Sequence, residues 1–128
     1  MNSQFIWSVS FGLSLFIGWC PDVALARQQS INGNISEARV ALSDGVQAYR
    51  AGQIDVAIQD FKKAKDLDHS LVNASLYLAT AYSAQFVPGD TSGDNMQNGQ
   101  LALEEFKEIL KQHPDNEQAR TMLDQLGR

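Results

Sequence analysis

Apolar residues recur at steps of three and four along most of the chain, the spacing that places them on one face of an α-helix. Residues 38–49 carry the first such stripe, residues 56–67 the second and residues 71–85 the third. Two further stripes lie at about residues 94–112 and 116–126. Because no stretch alternates between apolar and polar positions as a strand would, the pattern predicts an all-α fold of five helices.

The ends of these helices are marked by residues that start or stop helical backbone. Ser36 and Asp55 are expected to cap the first and second helices, since their side chains can accept from free backbone N–H groups. Gly52 is expected to end the first helix, and Pro114 follows the fourth. Residues 86–93 contain one proline and two glycines and are predicted to be a loop.

One short motif occurs twice. Ala57-x-x-x-Phe61 recurs as Ala102-x-x-x-Phe106, each time on the apolar stripe of a predicted helix. A small residue four positions before a large aromatic one allows another helix to approach closely while the ring fills the space beside it. The repetition indicates two copies of one helical unit.

This arrangement resembles the tetratricopeptide repeat family, whose unit is a pair of helices 34 residues long. Leu42 and Leu76 lie 34 residues apart, and the small residues Gly45 and Ala79 have the same separation. The second unit follows the family motif through Tyr82, Ala102, Phe106 and Pro114. The departures from the motif in the first unit are Asp44, Ala48 and His69.

The resemblance implies an α-solenoid of two helix-turn-helix repeats followed by a C-terminal capping helix. The folded domain is expected over residues 36–128. Repeat one covers about residues 38–71, repeat two about residues 72–116 and the capping helix residues 117–126. Residues 86–96 are interpreted as an insertion within the second repeat.

The N-terminus has the layout of a secretory signal peptide. Residues 5–19 are uncharged and mostly apolar, and Ala24-Leu25-Ala26 has the pattern of a cleavage site, which predicts removal of residues 1–26. Residues 27–35 are polar and are expected to be a flexible lead-in. We therefore expect an exported protein, periplasmic or secreted, of a bacterial envelope. The alternative is an uncleaved membrane anchor, although the apolar run is shorter than the roughly 20 residues of a spanning helix.

The charge of the part after the predicted cleavage site limits its partners. Residues 27–128 hold all ten basic and fourteen acidic side chains, a net charge of −4. Nucleic acids and anionic lipid surfaces both require a basic face, so neither is an expected partner. A protein or a peptide is the expected partner, with self-association as an alternative.

In the tetratricopeptide repeat family, the first helices of successive units form a concave groove that binds an extended peptide or a partner helix. The resemblance implies that the groove of this chain is lined by Arg39, Leu42, Val46, Tyr49 and Arg50 of the first unit and by Asn73, Leu76, Tyr77 and Thr80 of the second. For Leu42 and Leu76, packing between helices is an equally good interpretation.

The insertion has two interpretations. Long loops on rigid scaffolds often bind partners, so it is a candidate recognition loop. Its candidate contact residues are Phe86, Val87, Asp90, Asp94 and Met96. The alternative is a tolerated insertion, because lengthening a loop costs little closure entropy, and part of it could extend the fourth helix backwards to about Asp94.

The sequence contains few candidates for catalytic or metal-binding residues. The two histidines, His69 and His113, do not form a metal set of standard spacing, and no phosphate-binding or nucleophile motif occurs. We therefore predict no catalysis, no metal, no cofactor and no small-molecule substrate. The sequence favours an exported scaffold that binds a protein or peptide in its groove. The alternative is a structural component of an envelope assembly that self-associates or is anchored in the membrane.

Overall fold

The computed structural model describes residues 21–127, and the regular structure in this range is α-helical, as the sequence predicts. The predicted hydrophobic segment at residues 5–19 lies outside the described residues. The five helices are α1 (Pro21–Arg50), α2 (Ile54–Leu67), α3 (Val72–Gln85), α4 (Gly93–Gln112) and α5 (Glu117–Leu126).

The helices are joined by tight connections. Gly52 has a φ of 77°, a left-handed conformation that lets the chain reverse between α1 and α2. Between α2 and α3, the Asp68 carboxylate accepts from the backbone N–H of Ser70 at 3.0 Å and from its hydroxyl at 2.6 Å. Asn116 caps α5 by accepting from the backbone N–H of Ala119 at 2.9 Å. Such short turns make consecutive helices neighbours in space.

Each helix packs against its neighbours in the chain, most extensively within the pairs α1–α2 and α3–α4, and α1 also contacts α3. The core contains large aromatic side chains between small ones. Phe61 and Phe106 are fully buried, as the repeated motif predicts, and so are Ala57 and Ala102. A Cβ atom added to Gly45 would lie only 2.6 Å from Cε1 of Phe61, so the absence of a side chain there allows α1 to approach α2.

The lead-in predicted for residues 27–35 is instead helical, because α1 extends back to Pro21. Ser36 therefore lies within the helix and does not cap it. Extending an existing helix adds one hydrogen bond per ordered residue, whereas starting a new helix is costly. Residues 24–28 are alanine, leucine, arginine and glutamine, which are strong helix formers and support this extension.

Two other boundaries differ from the prediction. The N-cap position of α2 is Gln53, not Asp55, and Asp55 lies in the first turn of the helix. The predicted insertion at residues 86–96 is irregular only as far as Ser92, because α4 begins at Gly93. The last residues of the insertion thus lengthen α4, close to the backward extension considered from the sequence.

Candidate functional site

The nine residues of the predicted groove lie on two helices that touch, α1 and α3. We call these residues the α1–α3 surface. Its exposed members are Arg39, Arg50, Asn73 and Tyr77; its half-buried members are Leu42, Val46, Tyr49 and Thr80; and Leu76 is buried. The structure therefore brings the two predicted halves of the site onto adjoining helices.

The aromatic centre of this surface is Tyr77. Its ring stacks on that of Phe61, with centroids 5.4 Å apart and planes inclined by 18°. Phe61 is fully buried, whereas 41% of Tyr77 is exposed. Tyr77 thus covers the core of the first helix pair with one face of its ring and leaves part of itself available for contact from outside.

Several other members of the surface serve mainly to hold the helices together. Leu76 belongs to the main hydrophobic core, and Leu42 packs against both core clusters. The hydroxyl of Thr80 donates to the backbone carbonyl of Leu76 at 2.8 Å, which occupies its donor. Val46 and Tyr49 also pack against the main core. The four exposed members are therefore the part of the surface most open to solvent.

The predicted recognition loop is held firmly by a residue that the sequence reasoning did not single out. Asn95 is 5% exposed and lies in the first turns of α4. Its side-chain oxygen accepts from the Val87 N–H at 2.6 Å, and its amide donates to the carbonyls of Val87 at 2.9 Å and Asp90 at 2.7 Å. One buried amide therefore supplies hydrogen-bond partners to the loop backbone at Val87 and Asp90.

The aromatic ring of the loop is fixed in the same region. Phe86 is half-buried over Gly99 of α4, where an added Cβ atom would lie 2.8 Å from Cδ2 of the ring. Asp90 accepts from the backbone N–H of Ser92 at 2.8 Å. Val87, Asp94 and Met96 remain exposed. Of the five predicted contact residues, the structure therefore uses Phe86 for packing and Asp90 for a turn.

Two adjoining cavities flank Phe86, with volumes of about 410 Å³ and 470 Å³. Both are lined by Phe86 and by Leu126 of α5, and we call the combined feature the α4–α5 trough. Met96, Gln100 and Leu103 line its α4 side, and Met122 lines its α5 side together with the loop. None of the residues that line these two cavities is charged.

A polar cavity of about 240 Å³ lies between the end of α2, the start of α3 and the end of α4. Lys65 of α2 donates to both carboxylate oxygens of Glu105 of α4, at 2.6 Å and 2.8 Å. His69 and His113 also line this cavity. Lys65 and Glu105 neutralise each other, and Glu108 is the remaining carboxylate in the lining of this cavity. Within residues 21–127, no three His, Cys, Asp or Glu side chains are placed to hold a metal ion.

One further residue of this cavity has a perturbed acidity. The pKa of Glu108 is lowered because the Gln112 side-chain amide donates to its carboxylate at 2.9 Å and because Lys111 lies nearby. These contacts run along the outer side of α4 and do not converge on a reactive group.

No protein-family model matches this chain. No curated protein matches its sequence. Among residues 21–127, no helix combines the length and the apolar character needed to cross a membrane.

Proposed function

We propose that this protein is an exported interaction scaffold of the tetratricopeptide repeat kind, which binds a peptide or partner protein on its α1–α3 surface. The observation that carries the proposal is the direct contact of α1 with α3. In a solenoid of helix pairs, the first helices of successive pairs lie side by side and present a continuous surface to a partner. The 34-residue spacing of corresponding positions agrees with this arrangement.

The chemistry of the surface supports a protein partner. Tyr77 is an exposed aromatic residue on a rigid base, a residue type enriched where proteins bind one another. Arg39, Arg50 and Asn73 add donors that suit carboxylates and the backbone carbonyls of a peptide. We therefore propose a partner segment with acidic side chains beside an apolar or aromatic one.

Affinity capture from cells that produce the protein naturally tests this proposal. A variant with Arg39→Ala and Arg50→Ala removes two exposed charges of the surface. A matched control, Lys62→Ala with Lys107→Ala, removes two exposed charges elsewhere. The proposal predicts that the first variant loses a partner that the wild type and the control both retain. Equal capture by all three proteins would contradict it.

The export of the protein rests on the apolar segment and the Ala24-Leu25-Ala26 pattern. Mass spectrometry of the protein from an envelope fraction tests this part separately. An N-terminus at Arg27 agrees with cleavage, whereas an intact N-terminal segment favours the membrane anchor.

One observation favours the second candidate function, a structural component that associates with itself. Residues 24–34 of α1 are all exposed, so this part of the helix projects beyond its packing with α2. An exposed helix that bears apolar residues is a candidate contact between subunits.

A further inference from the structure

One face of the projecting part of α1 carries mostly apolar residues, with the polar Gln28 among them. We call residues 24–35 the N-terminal arm. Ala24, Gln28, Ile31 and Ile35 follow one another at steps of four, three and four, so they share one face of the helix. That face continues into the buried Ala38, where packing of α1 begins. The arm is thus an extension of the packing face of α1, and within one copy it is exposed except at the half-buried Ile35.

The other end of the described chain has a complementary feature. The α4–α5 trough is mostly apolar, its lining is uncharged, and Met96 at its side is 60% exposed. From Gly93 to Leu103, α4 gives the trough a length of about 16 Å at 1.5 Å per residue. The arm, over residues 24–35, is about 18 Å long by the same measure.

The charges of the arm and of the residues beside the trough are opposite in sign. Arg27 carries the one formal charge of the arm, and it lies four residues before Ile31 on the same side of the helix. Asp90 and Asp94, which flank the trough, are both exposed, and residues 86–96 contain no basic side chain. An arm placed in the trough would therefore bring a positive charge toward two negative ones.

We propose that the N-terminal arm of one copy binds in the α4–α5 trough of a second copy. Because the arm and the trough are different surfaces, each copy offers one to the copy before it and the other to the copy after it. The contact is therefore heterologous, and copies join head to tail. A cut after Ala26 leaves Arg27, Ile31 and Ile35 in place and adds an α-amino charge beside them, so cleavage preserves the contact.

The contact is tested with the full chain, expressed with its own N-terminal segment. Light scattering over a range of concentrations measures its average mass. An arm variant, Ile31→Asp, and a trough variant, Met96→Asp, each remove one of the two surfaces. A control, Gln29→Asp, places the same charge on the other side of the arm helix. Circular dichroism establishes that each variant keeps its helix content.

The head-to-tail contact predicts a specific pattern. The mass of the wild type and of the control rises with concentration, whereas each single variant associates at least about tenfold more weakly. An equimolar mixture of the two variants forms a dimer and stops there, because one intact arm meets one intact trough.

Three outcomes would overturn the inference: a wild type that stays monomeric at all concentrations, single variants that associate as strongly as the wild type, and a mixture that remains monomeric. Association through residues 1–20 would persist in both single variants, and this persistence distinguishes it from the proposed contact. None of these variants alters the α1–α3 surface, so the outcome is independent of partner capture by that surface.

Discussion

The ring of Tyr77 on α3 stacks on the fully buried ring of Phe61 on α2, with centroids 5.4 Å apart. Phe61 also lies against Gly45 of α1. Phe61 is thus the side chain that joins the first three helices, and it supports the exposed aromatic residue of the α1–α3 surface. The geometry of the proposed binding surface therefore depends on the packing around a single ring.

The first prediction concerns Gly45→Ala. The added Cβ atom would lie 2.6 Å from Phe61 Cε1 and 3.1 Å from the Asp60 Cβ atom. Phe61 cannot move aside cheaply, because it is fully buried and covered by Tyr77. The variant should lower the free energy of unfolding by about 1–3 kcal/mol, the usual cost of overpacking, despite the better helix propensity of alanine. Urea denaturation measures this change.

Gly33→Ala is the matched control for that prediction. Gly33 lies in the same helix, and an added Cβ atom would meet nothing within 4 Å. Here only the gain in helix propensity remains, so stability should be unchanged or slightly increased. Equal destabilisation by both substitutions would contradict the close approach of α1 to Phe61.

The second prediction concerns the buried amide of Asn95. Asn95→Leu keeps the approximate size of the side chain but removes its hydrogen bonds to Val87 and Asp90. The free energy of unfolding should fall by about 1–3 kcal/mol, the cost of leaving such groups unpaired. Hydrogen exchange at the Val87 amide should accelerate more than exchange in α2.

Two further variants sharpen the Asn95 experiment. Asn95→Asp retains an acceptor for the Val87 N–H but loses both donors. Hydrogen exchange of the loop amides should therefore also accelerate strongly in this variant. Gln97→Ala, an exposed neighbour on the same helix, should change stability by less than about 0.5 kcal/mol. Unaltered exchange at Val87 in Asn95→Leu would show that this amide does not hold the loop.

The third prediction concerns the ion pair between α2 and α4. The side chains of Lys65 and Glu105 are 32% and 18% exposed, so this pair is screened less than a surface pair. Glu105→Gln should destabilise the protein by about 1–2 kcal/mol, between the effects found for surface and for buried pairs. Glu104→Gln, which removes an exposed carboxylate of the adjacent residue, should cost less than about 0.5 kcal/mol.

Salt provides an independent check on the ion pair. The difference in stability between the wild type and Glu105→Gln should shrink as ionic strength rises, because screening weakens the attraction that the variant lacks. A difference that does not change with salt would assign the effect to the lost hydrogen bonds rather than to attraction between the two charges.

The fourth prediction concerns the titration of Glu108. Its pKa is lowered from the ordinary value of 4.5, first by the hydrogen bond from Gln112 and then by Lys111. Folding therefore favours the ionised carboxylate, and its contribution to stability is present above pH 4.5 and lost as pH falls through the lowered pKa. In Gln112→Ala, the pKa should rise toward 4.5. The carboxyl chemical shift of Glu108, followed by NMR during an acid titration, measures both values.

Sequence periodicity predicted the helices and the burial of Phe61 and Phe106, because an apolar stripe at helical spacing must face a core. It could not predict the role of Asn95, whose burial depends on how the preceding loop folds back onto α4. A polar residue beside Asp94 gives no local signal of burial. The same limit applies to Phe86, whose position is set by the space above Gly99.

For a similar reason, the sequence could not separate the predicted binding residues that are buried from those that are exposed. Spacing placed Leu76 and Tyr77 on the same helix, but adjacent residues point about 100° apart, and only packing decides which one faces out. The structure buries Leu76 and exposes part of Tyr77. The polar composition of residues 27–35 suggested a flexible segment, whereas continuation of α1 from its packed part makes them helical.

We propose that a partner protein contacts α1 and α3. The most direct test of this proposal is site-specific photocrosslinking in cells that produce the protein naturally, with a photoreactive side chain in place of Asn73 on α3. The control replaces Gln59 on α2, which is also exposed. We predict that the Asn73 position crosslinks to one defined partner and that the Gln59 position does not. The same crosslinks at both positions, or none at Asn73, would contradict the account.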